Sequence, residues 1–237
     1  MTTSVHPQYI LSIESSCDET SAAVIEDGHS IRSHVIASQE AIHAKYGGVF
    51  PEVASRKHIE VIYTIVAEAM AQAELTYDSL DYVAVTKGPG LVGSLLVGVN
   101  VAKGIALAAQ KPLIGVNHIE GHVYAQWLAT AAEEIEFPLL ILVVSGGHTE
   151  LYLMTEHTTY THLGGTMDDA AGEAFDKVGR LLDLPYPGGP AIDKLARQVD
   201  RAAFVFPRAV MDDRYEFSFS GLKTAVLRET QRLRKNN

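Results

Sequence analysis

Cysteine is almost missing from this sequence: Cys17 is the single one in 237 residues. That excludes an intramolecular disulfide and any Cys-rich zinc module, and it favours a reducing compartment. Long apolar runs are lacking too. The longest, Pro138 to Val144, falls far short of the roughly 20 residues that cross a bilayer, and the polar start, Met1 to Tyr9, holds no apolar signal core. A cytoplasmic protein with no membrane contact is expected. Basic charge is scarce: 19 Lys and Arg against 29 Asp and Glu leave a formal charge of −10, which argues against gripping nucleic acid over the whole surface. A local patch remains, since Lys223, Arg228, Arg232, Arg234 and Lys235 face only Glu229 in the last stretch of chain. It reads either as a solvated helix face or as a phosphate contact.

What is present is ordinary globular composition, enough for one large domain or two lobes. No low-complexity linker divides it, so the order of elements must. Tyr9 to Glu14 and Ala22 to Glu26 read as strands around a polar turn, Ser15 to Ser21, and Asp27-Gly28 suits a hairpin into a third strand near Ile31 to Ala37. Pro51 to Ala73 carries Ile59, Ile62, Val66 and Met70 at helical spacing, with Pro51 in the first turn. A strand Tyr82 to Thr86, a turn Gly88-Pro89-Gly90, a helix from about Val92 to Ala109 and a strand Leu113 to Val116 follow in βαβ order, then a helix His118 to Thr130. At Pro138 the pattern restarts: strand Leu139 to Val144, turn Ser145-Gly146-Gly147-His148-Thr149, strand Glu150 to Met154, and helices at Asp168 to Leu184, Pro190 to Val199 and Gly221 to Arg234. The echo predicts a duplicated two-lobe α/β fold, against the alternative of two unrelated hairpins. In the duplicated reading the second copy is incomplete, lacking a later counterpart of Tyr82 to Val116.

Several residues suggest chemistry. The turn Ser145 to Thr149 offers backbone N–H groups and hydroxyls that can approach a phosphate, an ordinary hairpin turn being the competing reading. His118 and His122, four apart, put both imidazoles on one helix face within reach of one metal ion, although such pairs are also found as surface or packing residues. A metallopeptidase would need His-Glu-x-x-His. Here the order is His118-Ile119-Glu120-Gly121-His122, and Glu120 points about 200° away from His118 by the helical period. Asp18 and Glu19 make sense beside a metal or a polarised nucleophile. Asp168, Asp169 and Glu173 are also what favourable dipole placement at a helix start looks like, while Asp176, deeper in that helix, suits a polar or ribose site. Pro187-Gly188-Gly189-Pro190 with Asp193 forms a loop open to close ligand approach.

Taken in order, Ile13-Glu14-Ser15-Ser16-Cys17-Asp18-Glu19-Thr20, Tyr46-Gly47-Gly48-Val49, Pro51-Glu52-Val53-Ala54-Ser55-Arg56, Gly88-Pro89-Gly90-Leu91-Val92-Gly93 and His118-Ile119-Glu120-Gly121-His122 resemble successive signatures of the TsaD family. So do Val144 to Thr149, Asp168 to Lys177, Tyr186 to Pro190 and Phe217 to Thr224. The resemblance runs from about Ile10 to Thr224. It implies an actin-like, Hsp70-like two-lobe fold, with lobes at 8–134 and 135–237. It implies transfer of threonylcarbamoyl from threonylcarbamoyl-AMP to N6 of adenosine 37, beside the anticodon of tRNAs reading codons that begin with A. It also implies one divalent metal ion, iron foremost and zinc as the alternative, held by His118 and His122. Val143, Val144, Ser145, Gly146 and Gly147 would bind the adenylate, Asp176, Gly189 and Asp193 would complete its pocket, and Glu19 with Asp18 would stand at the reacting centre. TsaB-like and TsaE-like proteins are the implied partners. A non-catalytic paralogue like TsaB would not be expected to keep His118 and His122. The family continues past this terminus with a Gly-Gly-Val segment, an Asn on the adenosine and an Asp as third metal ligand. A truncated chain with weakened metal and nucleotide binding and little activity alone is therefore expected.

Overall fold

Alternating apolar residues place β1 (Tyr9–Glu14), β2 (Glu19–Glu26) and β3 (Ser30–Ser38) in an antiparallel meander. In the computed structural model, residues 6–129, 135–200, 203–209 and 215–236 are described. After a short α1 (Glu40–His43) and a long α2 (Pro51–Gln72) come β4 (Tyr82–Gly88), α3 (Val92–Ala108), β5 (Leu113–Asn117) and α4 (His118–Ala129). The sheet order is β3-β2-β1-β4-β5, with β4 parallel to β1 and β5 parallel to β4. Helices α2 and α3 lie against it, and the core they enclose is built from Leu11, Ile13, Val24, Ile62, Val66, Met70, Val83 and Val85. Each such side chain taken from water contributes about 1.5–3 kcal/mol.

Two local expectations change. The turn after β1 is shorter than Ser15 to Ser21, because Glu19 and Thr20 already pair with Ser38 and Ala37 as the head of β2. The buried stripe of α2 runs through Ala54, His58, Ile62, Ile65, Val66, Ala69 and Met70, while Ile59 is 66% exposed. A histidine therefore occupies the inward position expected for an isoleucine. Thr130, the expected end of α4, and residue 134, the expected end of the first lobe, lie outside the described residues.

The chain forms two compact units, one holding the described residues up to His43 and from Val49 through α4, the other holding Ala44–Gly48 and the described residues from 135 onward. In the second unit β6 (Leu139–Val144), β7 (Thr149–Glu156) and β8 (Thr159–Gly165) repeat the opening meander as an antiparallel sheet. Strand β8 was not expected. Its sequence, Thr-Tyr-Thr-His-Leu-Gly-Gly, lacks a regular apolar alternation because it is an edge strand with much of its length exposed. Helices α5 (Ala171–Leu181), α6 (Gly188–Ala196) and α7 (Ser220–Asn236) complete the unit, with α5 packed on both others. Helix α5 starts later than Asp168 because that carboxylate is bonded elsewhere: Oδ1 accepts from Phe219 N–H at 2.8 Å and Oδ2 from Ser218 Oγ–H at 2.5 Å.

Candidate functional site

Three parallel strands of the first unit deliver one cluster. β1 ends at Glu14, β4 carries Thr86 near its end, and His118 follows β5 directly, so all three emerge at the carboxyl ends of their strands. Open α/β sheets bind ligands at that edge. The register pairs Ile13 with Val85 and Thr86 with Val116, which sets Glu14 beside Thr86. Asn117 Oδ1 accepts the N–H groups of Ile119 at 2.9 Å and Glu120 at 3.3 Å and so fixes where α4 begins. His118 and His122 then stand one turn apart on one face.

Glu14 organises this group. Its Oε2 accepts from Thr86 Oγ–H at 2.5 Å and lies 3.3 Å from His118 Nδ1, while Oε1 accepts the Ser16 N–H. Ser16 Oγ is 3.2 Å from the same His118 nitrogen. Burial alone would push the Glu14 carboxyl up, but the hydrogen bonds from His118, Ser16 and Thr86 outweigh it and hold the group at about 2. An ionised Glu14 takes the Nδ1–H of His118 and leaves the lone pair on Nε2. That Nε2 is 3.1 Å from His122 Nε2, the rings standing nearly perpendicular. Two imidazole nitrogens each about 2.1 Å from one ion are about 3.0–3.4 Å apart for octahedral to tetrahedral angles, so the pair fits a divalent cation. A carboxylate behind the outer ring nitrogen is what metal-ligating histidines ordinarily have. Among the described residues, no three His, Cys, Asp or Glu side chains are grouped so as to hold a metal ion, so the chain offers this pair and not a full set of ligands.

The turn from Ser15 to Asp18 is held tightly beside this pair. Ser15 Oγ–H donates to the Ser94 carbonyl at 2.8 Å and accepts the Gly98 N–H, and Leu91 N–H donates to the Ser16 carbonyl at 2.7 Å. A Cβ on Gly90 would sit 2.6 Å from that carbonyl oxygen, so only glycine allows the approach. Asp18 is half-buried, and Glu19 is exposed at the head of β2. Both follow Ser16 within three residues.

In the second unit, Val143 is buried and Val144 is exposed at the end of β6. Ser145 Oγ accepts the N–H of His148 at 3.0 Å and of Gly147 at 3.3 Å, which closes the turn. A Cβ on Gly146 or Gly147 would meet nothing within 4 Å of this structure, so their backbone faces open space. The start of α5 backs the turn: Ala171 N–H donates to Thr149 Oγ at 2.9 Å and Gly172 N–H to the Ser145 carbonyl at 3.2 Å. A Cβ at Gly172 would lie 2.7 Å from that carbonyl and 2.8 Å from Gly146 Cα. Asp176, one turn further along α5, accepts the Gly188 N–H at 2.7 Å and thereby caps α6, whose second residue is Gly189. Asp193 instead pairs with Arg197 at 2.7 Å on an exposed surface. Thus Ser145 to Gly147, Asp176 and Gly189 are linked through one helix, and Asp193 follows Gly189 by one turn of α6.

Two features of this unit do not point to a nucleotide or to tRNA. A cavity of about 430 Å³ among α5, α6 and α7 is lined mainly by apolar groups such as Phe175, Val178, Phe206, Phe219, Val226 and Leu233. The basic stretch expected to be either a solvated face or a phosphate contact is largely neutralised in place. Lys223 bonds Asp169 at 2.9 Å, Arg232 bonds Glu229, and Arg234 bonds Asp183 at 2.6 Å.

Glu14, Ser16 and Thr86 were not singled out by residue spacing. The available signal was their place at, or just beyond, the carboxyl ends of parallel strands that lead to His118.

Residues 30–236 match the TsaD family model, described as tRNA N6-adenosine threonylcarbamoyltransferase. The chain is 56% identical over 223 residues to the protein of that name from Thermomicrobium roseum, covering 92% of this chain and 61% of the relative. It is 58% identical over 220 residues to that of Geobacillus kaustophilus, covering 92% and 63%. The chain therefore spans less than two thirds of the length of these relatives. Among solved structures, component A of the (R)-2-hydroxyglutaryl-CoA dehydratase of Acidaminococcus fermentans matches with a TM-score of 0.50 and 15% identity, over 97% of this chain and 70% of that one, a likeness of fold alone. The fold is the actin-like α/β architecture, and the chain belongs to the TsaD family of tRNA N6-adenosine threonylcarbamoyltransferases.

Proposed function

We propose that this chain supplies part of the active site of a cytoplasmic enzyme that transfers the threonylcarbamoyl group from threonylcarbamoyl-AMP to N6 of adenosine 37 in tRNAs that read codons beginning with A, and that it has little activity alone. The observation that carries the reading is the convergence of the His118 and His122 Nε2 atoms at 3.1 Å, with Glu14 fixing the His118 ring. These two residues would hold a divalent ion, Fe²⁺ foremost or Zn²⁺. When bound, such an ion acts as a Lewis acid toward carbamoyl or phosphate oxygens.

The residues of the chain supply binding and proton handling. The turn Ser145-Gly146-Gly147 binds the adenylate phosphate, with the Gly146 N–H directed to it, and Val143, Val144, Asp176, Gly189 and Asp193 stand around the nucleoside. N6 attacks the carbamoyl carbon, the bond from that carbon to the phosphate oxygen breaks, and AMP leaves with the electron pair. The amine proton passes to a carboxylate, for which Glu19 is the candidate and Asp18 its neighbour. The acidic balance and the paired cations of α7 shift the phosphate contacts with tRNA onto partner proteins, TsaB-like and TsaE-like.

The test supplies threonylcarbamoyl-AMP, tRNA and Fe²⁺ to this chain, and to a version extended with the remaining C-terminal segment of a longer relative. Modified adenosine is read by mass spectrometry and metal by elemental analysis. Product from the extended version, lost on His118→Ala with His122→Ala, supports the reading. No product from the extended version with its partners present overturns it.

A further inference from the structure

Four polar side chains are almost wholly enclosed behind the turn that carries Asp18: Thr20 and His58 at 0% exposure, Gln39 at 1% and His43 at 0%. Burying such groups is unfavourable unless each finds a partner, and here each does. His58 Nε2 is 3.0 Å from the Cys17 carbonyl, which can only accept, so Nε2 carries the proton. Nδ1 is then the acceptor, and Thr20 Oγ–H donates to it at 2.7 Å. By the same logic His43 Nδ1 accepts the Phe50 N–H at 3.2 Å, and its Nε2–H donates to Gln39 Oε1 at 3.1 Å. Gln39 returns to the turn through its own N–H, which donates to the Asp18 carbonyl at 3.0 Å. Two successive carbonyls, those of Cys17 and Asp18, are thus held from behind by α2 and by the residue that precedes α1. A core position on α2 that an isoleucine would fill more cheaply is given to a histidine with one fixed tautomer.

We propose that His58 is a positioning residue of the transferase site: by holding the Cys17 carbonyl through Nε2–H it sets where the carboxylates of Asp18 and Glu19 stand. The inference rests on the reading of those two carboxylates given above. His58 touches no substrate; it acts through the peptide backbone of the turn. A loosened turn costs rate because proton transfer demands a defined distance, whereas the adenylate is bound by other residues.

The test uses His58→Leu, which fills the space without a donor, and His58→Gln, whose side-chain amide N–H stands near the position of Nε2. In this chain, amide hydrogen exchange is followed over residues 15–21 and along α2. In the extended protein, kcat and KM for threonylcarbamoyl-AMP are measured. Expected for H58L are exchange about 10-fold faster in the turn with α2 still protected, and kcat lower by about 10- to 100-fold with KM within about twofold. H58Q is expected to restore both to within about threefold of the parent. Unchanged kcat in H58L, or a loss that H58Q does not rescue, overturns the positioning role while leaving the transferase reading intact. Failure of the parent extended protein to modify tRNA overturns both. Should H58L not fold, Thr20→Val keeps the imidazole and removes the hydroxyl on Nδ1; a kcat loss of about threefold is then expected, and no loss overturns the inference.

Discussion

His118 Nδ1 lies 3.3 Å from Glu14 Oε2, so the histidine that follows the last strand of the sheet is oriented by the carboxylate that ends the first. Replacing Glu14 by Gln keeps the shape and removes the charge that fixes the ring. Metal affinity is expected to fall about 10- to 100-fold, the usual effect of losing an outer carboxylate. Titration of Fe²⁺ or Zn²⁺ into E14Q and parent, with circular dichroism to confirm the fold, checks this. Equal affinities would show that Glu14 has no part in the site.

His58 gives a pH dependence whose sign is fixed. Burial is the main cause that lowers its pKa below 6.5; the Cys17 carbonyl, Glu14 and Asp18 pull the other way, and His43 reinforces the lowering. The unfolded chain therefore binds the proton more readily than the folded one. Stability is full above about pH 6.5 and falls as the pH drops below it. Urea midpoints between pH 7.5 and 5.5 are expected to decline less in H58Q than in the parent.

Asp169 holds Lys177 at 2.6 Å and Lys223 at 2.9 Å, joining α5 to α7. Hydrogen bonds from Lys177 and then Lys223 hold its carboxyl below 3.8. The contribution is present at neutral pH and is lost as the pH falls through that lowered value. Asp169→Asn should cost about 1–3 kcal/mol of stability at pH 7, read by chemical denaturation, and progressively less as the pH falls below 3.8.

Gly172 tests the packing of α5 on the turn from Ser145. In Gly172→Ala the new methyl would meet backbone at 2.7 and 2.8 Å, and backbone cannot rotate aside. A loss of about 1–3 kcal/mol is expected, with weaker adenylate binding in calorimetry because the turn must move.

Cys17 is exposed, yet desolvation of the thiol, with the charges of Asp18 and Glu14, pushes it up to about 12. Exposure favours reaction and the raised pKa opposes it; the thiolate is the reactive species, so the second effect dominates. Alkylation by iodoacetamide at pH 7.5 should be slower than for free cysteine. Rapid alkylation would contradict this arrangement of charges.

Most of the first unit was legible in the sequence because its strands alternate and its helices carry long apolar stripes. The βαβ order of β4, α3 and β5 needed nothing more. What could not be read are features set by contacts distant in the chain. Ile59 and His58 are equally compatible with an amphipathic helix, and only the Cys17 carbonyl and the Thr20 hydroxyl explain why the histidine faces inward. Strand β8 exists because β7 offers it an edge, which its own polar residues do not announce. The pair His118 and His122 was visible through a spacing of four. Glu14 was not, since its relation to His118 depends on the parallel order of the sheet.

The same parallel order has a consequence for synthesis. Glu14 and His118 are 104 residues apart, and Glu14 and Thr86 are 72 apart. The meander of β1, β2 and β3 can form as soon as it leaves the ribosome, because its contacts are local. The histidine cluster must wait for β4 and β5 to dock in turn, since loop closure over such distances comes late. Stalled nascent chains that expose residues only up to β4 should therefore retain no metal, and metal should first be retained, if weakly, by those that also expose α4.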